Sequence, residues 1–150
     1  MSQAVASSLY HPSFEHDSCG FGLIANIDGK ASKWLIDQAF STLAKMSHRG
    51  GIGADGITGD GCGILLYRPF GWLRVLAAEA GIRLGDRFAS GHVFLDRKDA
   101  ARAAAQKAEL EKHLRAEGLN VAGWREVPVD ARACGPLGEA HRPRVEQIFV

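Results

Sequence analysis

The sequence predicts a mixed α+β domain. Apolar residues recur at helical spacing over Leu35, Ile36, Ala39, Phe40, Leu43 and Met46, with Lys33, Asp37 and Lys45 on the other faces. Elsewhere short apolar runs end at turn residues, as strands do, and they alternate with further helical stretches.

Taken in order, residues 1–18 are polar and aperiodic, and read as a leader without regular structure. Phe21, Leu23, Ile24, Ala25 and Ile27 form a strand-like run that stops at Asp28-Gly29. Ser32 is placed to cap the helix that follows, which ends near Ser47. A glycine-rich loop comes next. Gly63 to Tyr67 resembles a strand halted by Pro69, and Trp72, Leu73, Val75 and Leu76 suggest a short helix closed by Gly81. His92 to Leu95 reads as a strand. Residues 97–117 read as a helix with Ala103, Leu110 and Leu114 turned inward and its mixed charges solvated. Val121 to Val129 reads as a strand, and Glu146 begins another. The chain stops inside that last run, at Ile148, Phe149 and Val150. This reads as a fragment of a longer protein, with those residues expected to form an unpaired apolar edge.

A chain of 150 residues that is 46% hydrophobic supports a single core. A formal net charge of +1 gives no reason to expect nucleic acid or an anionic membrane as a partner. No apolar run approaches the roughly 18 residues that span a bilayer. The first residues have neither a basic nor an apolar segment of a secretory signal. Three cysteines, Cys19, Cys62 and Cys134, form no disulfide framework, so the expected compartment is the reducing cytoplasm.

Seven glycines lie between Gly50 and Gly63. Gly51, Gly53 and Gly56 spell G-x-G-x-x-G, but a dinucleotide loop follows a strand and opens a helix. Here the glycines follow a helix and precede a strand, which argues against phosphate binding, and no Walker lysine is nearby. A plain connector is possible, although so many glycines are costly in chain entropy. A third reading is a loop that passes close to a reacting atom, with Arg49 adding positive charge and Asp55 and Asp60 orienting their neighbours.

Any one cysteine is more often a small buried hydrophobe than a nucleophile. Cys62, between two glycines, fits that description, and Cys134 has no evident base. Cys19 stands where the polar leader meets the first apolar run. Removal of residues 1–18 would make it the first residue. Its own α-amine, with a reference pKa of about 7.7–8.0, would then serve as the base for its thiol.

Several motifs occur in order: Asp17-Ser-Cys-Gly-Phe-Gly-Leu-Ile-Ala25, His48-Arg-Gly50, Ala54-Asp-Gly56 with Thr58-Gly-Asp-Gly-Cys-Gly63, Gly91-His-Val-Phe-Leu95, Gly123-Trp-Arg-Glu-Val-Pro128 and Pro143-Arg-Val-Glu-Gln-Ile-Phe149. Together they resemble the start of glutamate synthase large subunits, most nearly the bacterial NADPH-dependent type. The resemblance implies a class II glutamine amidotransferase domain over residues 19–150, with the N-terminal-nucleophile αββα sandwich incomplete at its C-terminus. It implies Cys19 as the catalytic nucleophile, with Arg49 and Gly50 in the glutamine site, so the glycine loop would leave room for substrate. Cys19 would release ammonia from L-glutamine for transfer to 2-oxoglutarate, giving L-glutamate. FMN, an iron–sulfur cluster and NADPH are implied for the parent enzyme, and no cofactor or metal for this segment. The implied partners are the rest of the large subunit and a small subunit. The family's oxyanion-hole and glutamine-clamp residues match nothing here, so the segment alone is expected to be inactive. The alternative is a non-catalytic module of related fold, in which Cys19 is buried and the leader stays.

Overall fold

A computed structural model describes residues 20–46, 51–59, 61–67 and 69–150. The chain divides into two compact units, one of Met1–Ile52 with Gly59–Ile64, the other of Gly53–Thr58 with Leu65–Val150.

In the first unit, Asn26 organises a tight turn. Its carbonyl accepts from Gly29 N at 3.0 Å, and its side chain accepts from Asp28 N at 3.1 Å and donates to Lys30 O at 3.0 Å. Gly29 sits at φ 66°, where a side chain is disfavoured. Helix α1 spans Lys33–Lys45, and Ser32 caps it by accepting from Leu35 N. Leu35, Ala39, Leu43 and Met46 are half-buried along one stripe, while Trp34 and Phe40 stay exposed. The expected strand over 21–27 does not form. Phe21, Leu23 and Ile27 are almost fully exposed and have no ladder partner among the described residues. The expected strand over 63–67 is likewise absent; Leu65 and Tyr67 point to solvent. An apolar run becomes a strand only when its backbone groups find a ladder. Ile52 and Gly59 make one isolated antiparallel bridge.

The second unit holds the sheet. Helix α2 spans Phe70–Glu79 and buries Ala77 completely. It ends at Gly81 (φ 72°), where Ile82 N returns to Ala77 O at 2.8 Å, a left-handed helix stop. Strand β1 is Ser90–Leu95, helix α3 is Ala100–Ala116, and strand β2 is Gly123–Glu126. Asp99 caps α3 by accepting from Arg102 N at 2.9 Å. Ala103 is buried and Leu110 and Leu114 are half-buried, the inward stripe the periodicity predicts. A 3₁₀ turn at Ala131–Ala133, helix α4 at Pro136–His141 and strand β3 at Arg144–Phe149 complete the unit.

The sheet is antiparallel, in the order β1-β3-β2. The last strand is therefore its centre. Ile148 and Phe149 are not an unpaired edge, as expected from the sequence, but are 6% and 0% exposed. Gly123 lies opposite Phe149, and a Cβ there would come within 2.8 Å of Ile82 Cγ1, so glycine lets the end of α2 approach the sheet.

One charge is buried in this core. Glu146 is 2% exposed. Lys107 Nζ of α3 donates to its Oε2 at 2.6 Å. Arg144 Nη2 lies 2.7 Å from Oε1, but off the line of a hydrogen bond. The Lys107 ammonium also sits 4.5 Å above the Trp124 ring, whose Nε1 donates to Glu111 at 2.7 Å. This cluster ties α3 to the sheet. Lys107→Met should destabilise the unit by about 3 kcal/mol, because it leaves a buried carboxylate without its hydrogen-bonded cation. Adding Glu146→Leu should recover most of that loss. Urea unfolding of both variants checks this; an equal cost in the single and double variants would contradict it.

Candidate functional site

The sequence-predicted site residues Cys19, Arg49 and Gly50 lie outside the described residues, as do His48, Asp60 and the leader. The structure does describe Gly53 to Thr58, which belong to the second unit.

This stretch is a closed turn. Gly53 N donates to Thr58 O at 2.6 Å, and Gly56 N to Gly53 O at 2.9 Å, with Gly56 at φ 70°. Asp55 fills the turn. Its Oδ1 accepts from Ile57 N at 3.1 Å and Thr58 N at 2.8 Å. Its Oδ2 accepts from the Thr58 hydroxyl at 2.5 Å and from Leu137 N at 3.2 Å. The same hydroxyl accepts from Gly138 N at 3.1 Å. The turn is thus bonded to the start of α4, some 80 residues along the chain. Gly135 makes the approach possible. A Cβ there would stand 2.5 Å from Thr58 Oγ1 and 2.7 Å from Asp55 Oδ2. The expectation that Asp55 orients its neighbours agrees with this geometry.

α4 is held from its other side as well. Arg97 and Arg142 both bind the Glu139 carboxylate, and Arg97 Nη2 also reaches Glu139 O at 2.8 Å. Hydrogen bonds first from Arg142 and then from Arg97 hold the Glu139 carboxyl down to about 2. These arginines, with Arg144, Glu126 and Val127 to Val129, line a cleft of about 570 Å³. Arg97 and Arg142 already share Glu139, and Arg144 faces Glu146, so the cleft offers paired charge.

Cys62 is exposed, which corrects its reading as a buried hydrophobe: with no strand over 63–67, it has no sheet to pack into among the described residues. Cys134 is half-buried between the 3₁₀ turn and α4. Among the described residues no group of three or more His, Cys, Asp and Glu side chains is placed to hold a metal ion. The 3₁₀ turn and α4 were missed in the sequence reading. Their signals are short: Asp130 caps the turn, and Pro136 occupies the first position of α4.

The Asp55 carboxyl is held well below its ordinary value of 3.8, chiefly by the Thr58 hydroxyl and then by the Thr58 and Ile57 amides. A lowered folded-state pKa means that the unfolded chain binds the proton more readily. The anchor therefore contributes fully above the ordinary carboxylate range and is lost as pH falls through the lower, folded value. Amide exchange at Leu137 should stay slow at pH 5 and accelerate only well below pH 3.8. Asp55→Asn should remove that pH dependence; an unchanged profile in the variant would place the titrating group elsewhere.

Comparison with known proteins bears on what this arrangement serves. The family model of class-II glutamine amidotransferases matches residues 19–150. The glutamate synthase (NADPH) large chain of Bacillus subtilis is 36% identical over 145 residues, which are 97% of this chain and 10% of that protein. Ferredoxin-dependent glutamate synthase 2 of a Synechocystis species is 41% identical over 138 residues, 91% of this chain and 9% of that protein. The glutamate synthase (NADPH) large chain of Azospirillum brasilense is 37% identical over 145 residues, 96% of this chain and 10% of that protein. The chain thus spans about a tenth of the length of these curated relatives. With the family match extending over 132 of its 150 residues, the chain belongs to the class-II glutamine amidotransferases.

Proposed function

We propose that this segment is the glutamine-hydrolysing part of a glutamate synthase large subunit, with Cys19 as its nucleophile. The observation that carries the reading is that the family match opens at Cys19, the residue where the polar leader meets the first apolar run. The relatives are named as NADPH and as ferredoxin-dependent glutamate synthases.

Residues 1–18 are removed in this account, leaving a free α-amine on Cys19. That amine, with a reference pKa of about 7.7–8.0, takes the thiol proton at neutral pH. The Cys19 thiolate attacks the side-chain amide carbon of L-glutamine. The carbonyl becomes a tetrahedral oxyanion, the amide nitrogen takes the proton held by the Cys19 α-amine as the C–N bond breaks, ammonia leaves, and a glutamyl thioester remains. Water then cleaves the thioester, giving glutamate and the free thiol. Arg49 and Gly50 line the glutamine site. The ammonia passes to 2-oxoglutarate in the remainder of the large subunit.

FMN, an iron–sulfur cluster and NADPH supply the reducing step elsewhere in the assembly, which includes a small subunit. The residues here do not fit a cluster: Cys19, Cys62 and Cys134 lie far apart in the chain and lack the close spacing of a cluster-binding set. In this account the complete domain is the αββα sandwich, and the β1-β3-β2 sheet is part of one layer. No helix among the described residues is long and apolar enough to cross a membrane. Three cysteines without a disulfide framework support a cytoplasmic location in this account.

In the full-length enzyme, an electrophilic glutamine analogue should modify Cys19 and spare Cys62 and Cys134. Exposure alone favours Cys62, which is open to solvent, so selectivity for Cys19 reports activation. Cys19→Ala should abolish glutamine-dependent synthesis and retain synthesis from ammonia. Peptide mapping that places the label on Cys62 would overturn the assignment.

A further inference from the structure

We infer that the arginine-lined cleft of the second unit binds a small aliphatic anion that carries two carboxylates. The inference is independent of the glutaminase reading, and every residue it uses lies between Arg97 and Glu146, within that one unit. The cleft opens where a ladder stops. Val127 N donates to Val145 O at 3.0 Å. Bonding pairs alternate along an antiparallel ladder, so the register makes Val129 and Pro143 the next such pair, and Pro143 has no N–H to give. Pairing ends there, with β2 closing at Glu126 and β3 beginning at Arg144. Val127, Val129 and Val145 give the cleft an apolar wall, and Arg97, Arg142 and Arg144 give it donors. Its volume of about 570 Å³ is that of a small-molecule site.

Pairing is not neutrality here. Arg97 and Arg142 share the single carboxylate of Glu139. Arg144 and Lys107 share that of Glu146. Each centre therefore keeps one positive charge in excess. The one carboxylate among the lining residues is Glu126, which has no ion pair or hydrogen bond of its side chain among the described residues. The guanidinium groups also keep donors in reserve. Arg97 uses Nη1 and Nη2 on Glu139, and Arg142 uses Nε and Nη2. Arg97 Nε, Arg142 Nη1, and Nε and Nη1 of Arg144 have no partner among the described residues. Glu139 already holds two of these side chains in one geometry, so little of their rotamer entropy is lost when a ligand arrives. Two separately anchored cationic centres suit two carboxylates on one molecule, and the valine wall suits the carbon chain between them. A bare inorganic anion would leave that wall uncovered.

The test uses the full-length protein, with amide exchange followed by mass spectrometry at fixed ionic strength. Glutarate should slow exchange, saturably, in the peptides that carry Val127 to Val129 and Arg142 to Val145. Pentanoate, which has the same carbon chain and one carboxylate, should need a concentration about tenfold higher, and so should glutarate on Arg144→Gln. Inorganic phosphate should give no saturable slowing. Glu126→Gln removes an exposed, repelling carboxylate and should tighten glutarate about threefold; it decides the matter alone if Arg144→Gln does not fold. Glutarate without effect, as when a carboxylate of the remaining chain already fills the cleft, overturns the proposal. So does equal slowing by pentanoate or phosphate, or a glutarate midpoint that neither folded variant moves. None of these results bears on the glutaminase reading, which the labelling of Cys19 tests separately.

Discussion

Every ladder bond of the sheet passes through β3. Residues Arg144–Phe149 pair with β1 on one side and β2 on the other, so neither outer strand has a partner until β3 arrives. Reciprocal bonds between Ala89 and Val150, at 2.8 and 3.0 Å, extend the β1 side by one more pair. β1 must wait for a strand about fifty residues downstream, which makes closure of the sheet non-local and costly in chain entropy. The return is burial: Glu146, Gln147, Ile148 and Phe149 are the most continuous buried run among the described residues. The two polar members are answered from neighbouring elements, Glu146 by Lys107, and Gln147 by Arg125 at 2.7 Å and Ser90 at 2.8 Å.

The placement of β3 fixes what precedes it. α4 ends at His141, just before β3 begins at Arg144. Its end is pinned by Arg97 through Glu139, and its start receives the Asp55 turn. A line of cause therefore runs from ladder to helix to loop. The Gly53–Thr58 turn gains a defined shape from an element far along the chain. This explains how a sequence with little local preference for any conformation nonetheless forms a specific turn, through hydrogen bonds that only short polar side chains opposite glycine can make.

The helices were legible because their signals are local. Ser32 and Asp99 announce helix starts, Gly81 announces a stop, and the spacing of Ala103, Leu110 and Leu114 gives the buried stripe. The strands were legible only in part, because a strand depends on a partner that its own residues do not specify. Phe21 to Ile27 and Gly63 to Tyr67 are as apolar as β1, yet the described residues hold no partner for them. The central position of β3 was unreadable for the same reason: the residues of a run do not encode its neighbours. In the site, Asp55 was legible as an orienting group, but its contact with Leu137 joins positions 82 apart and leaves no local pattern. The family membership was legible from motif order, which survives where spacing within any one motif says little.

The account rests on an N-terminal cysteine whose own amine activates its thiol. N-terminal sequencing of active enzyme purified from its natural host, paired with a glutaminase assay on the same sample, tests this most directly. The predicted result is a single sequence beginning Cys19-Gly-Phe-Gly, with activity proportional to that species. Full glutaminase activity in protein that retains residues 1–18 would contradict it.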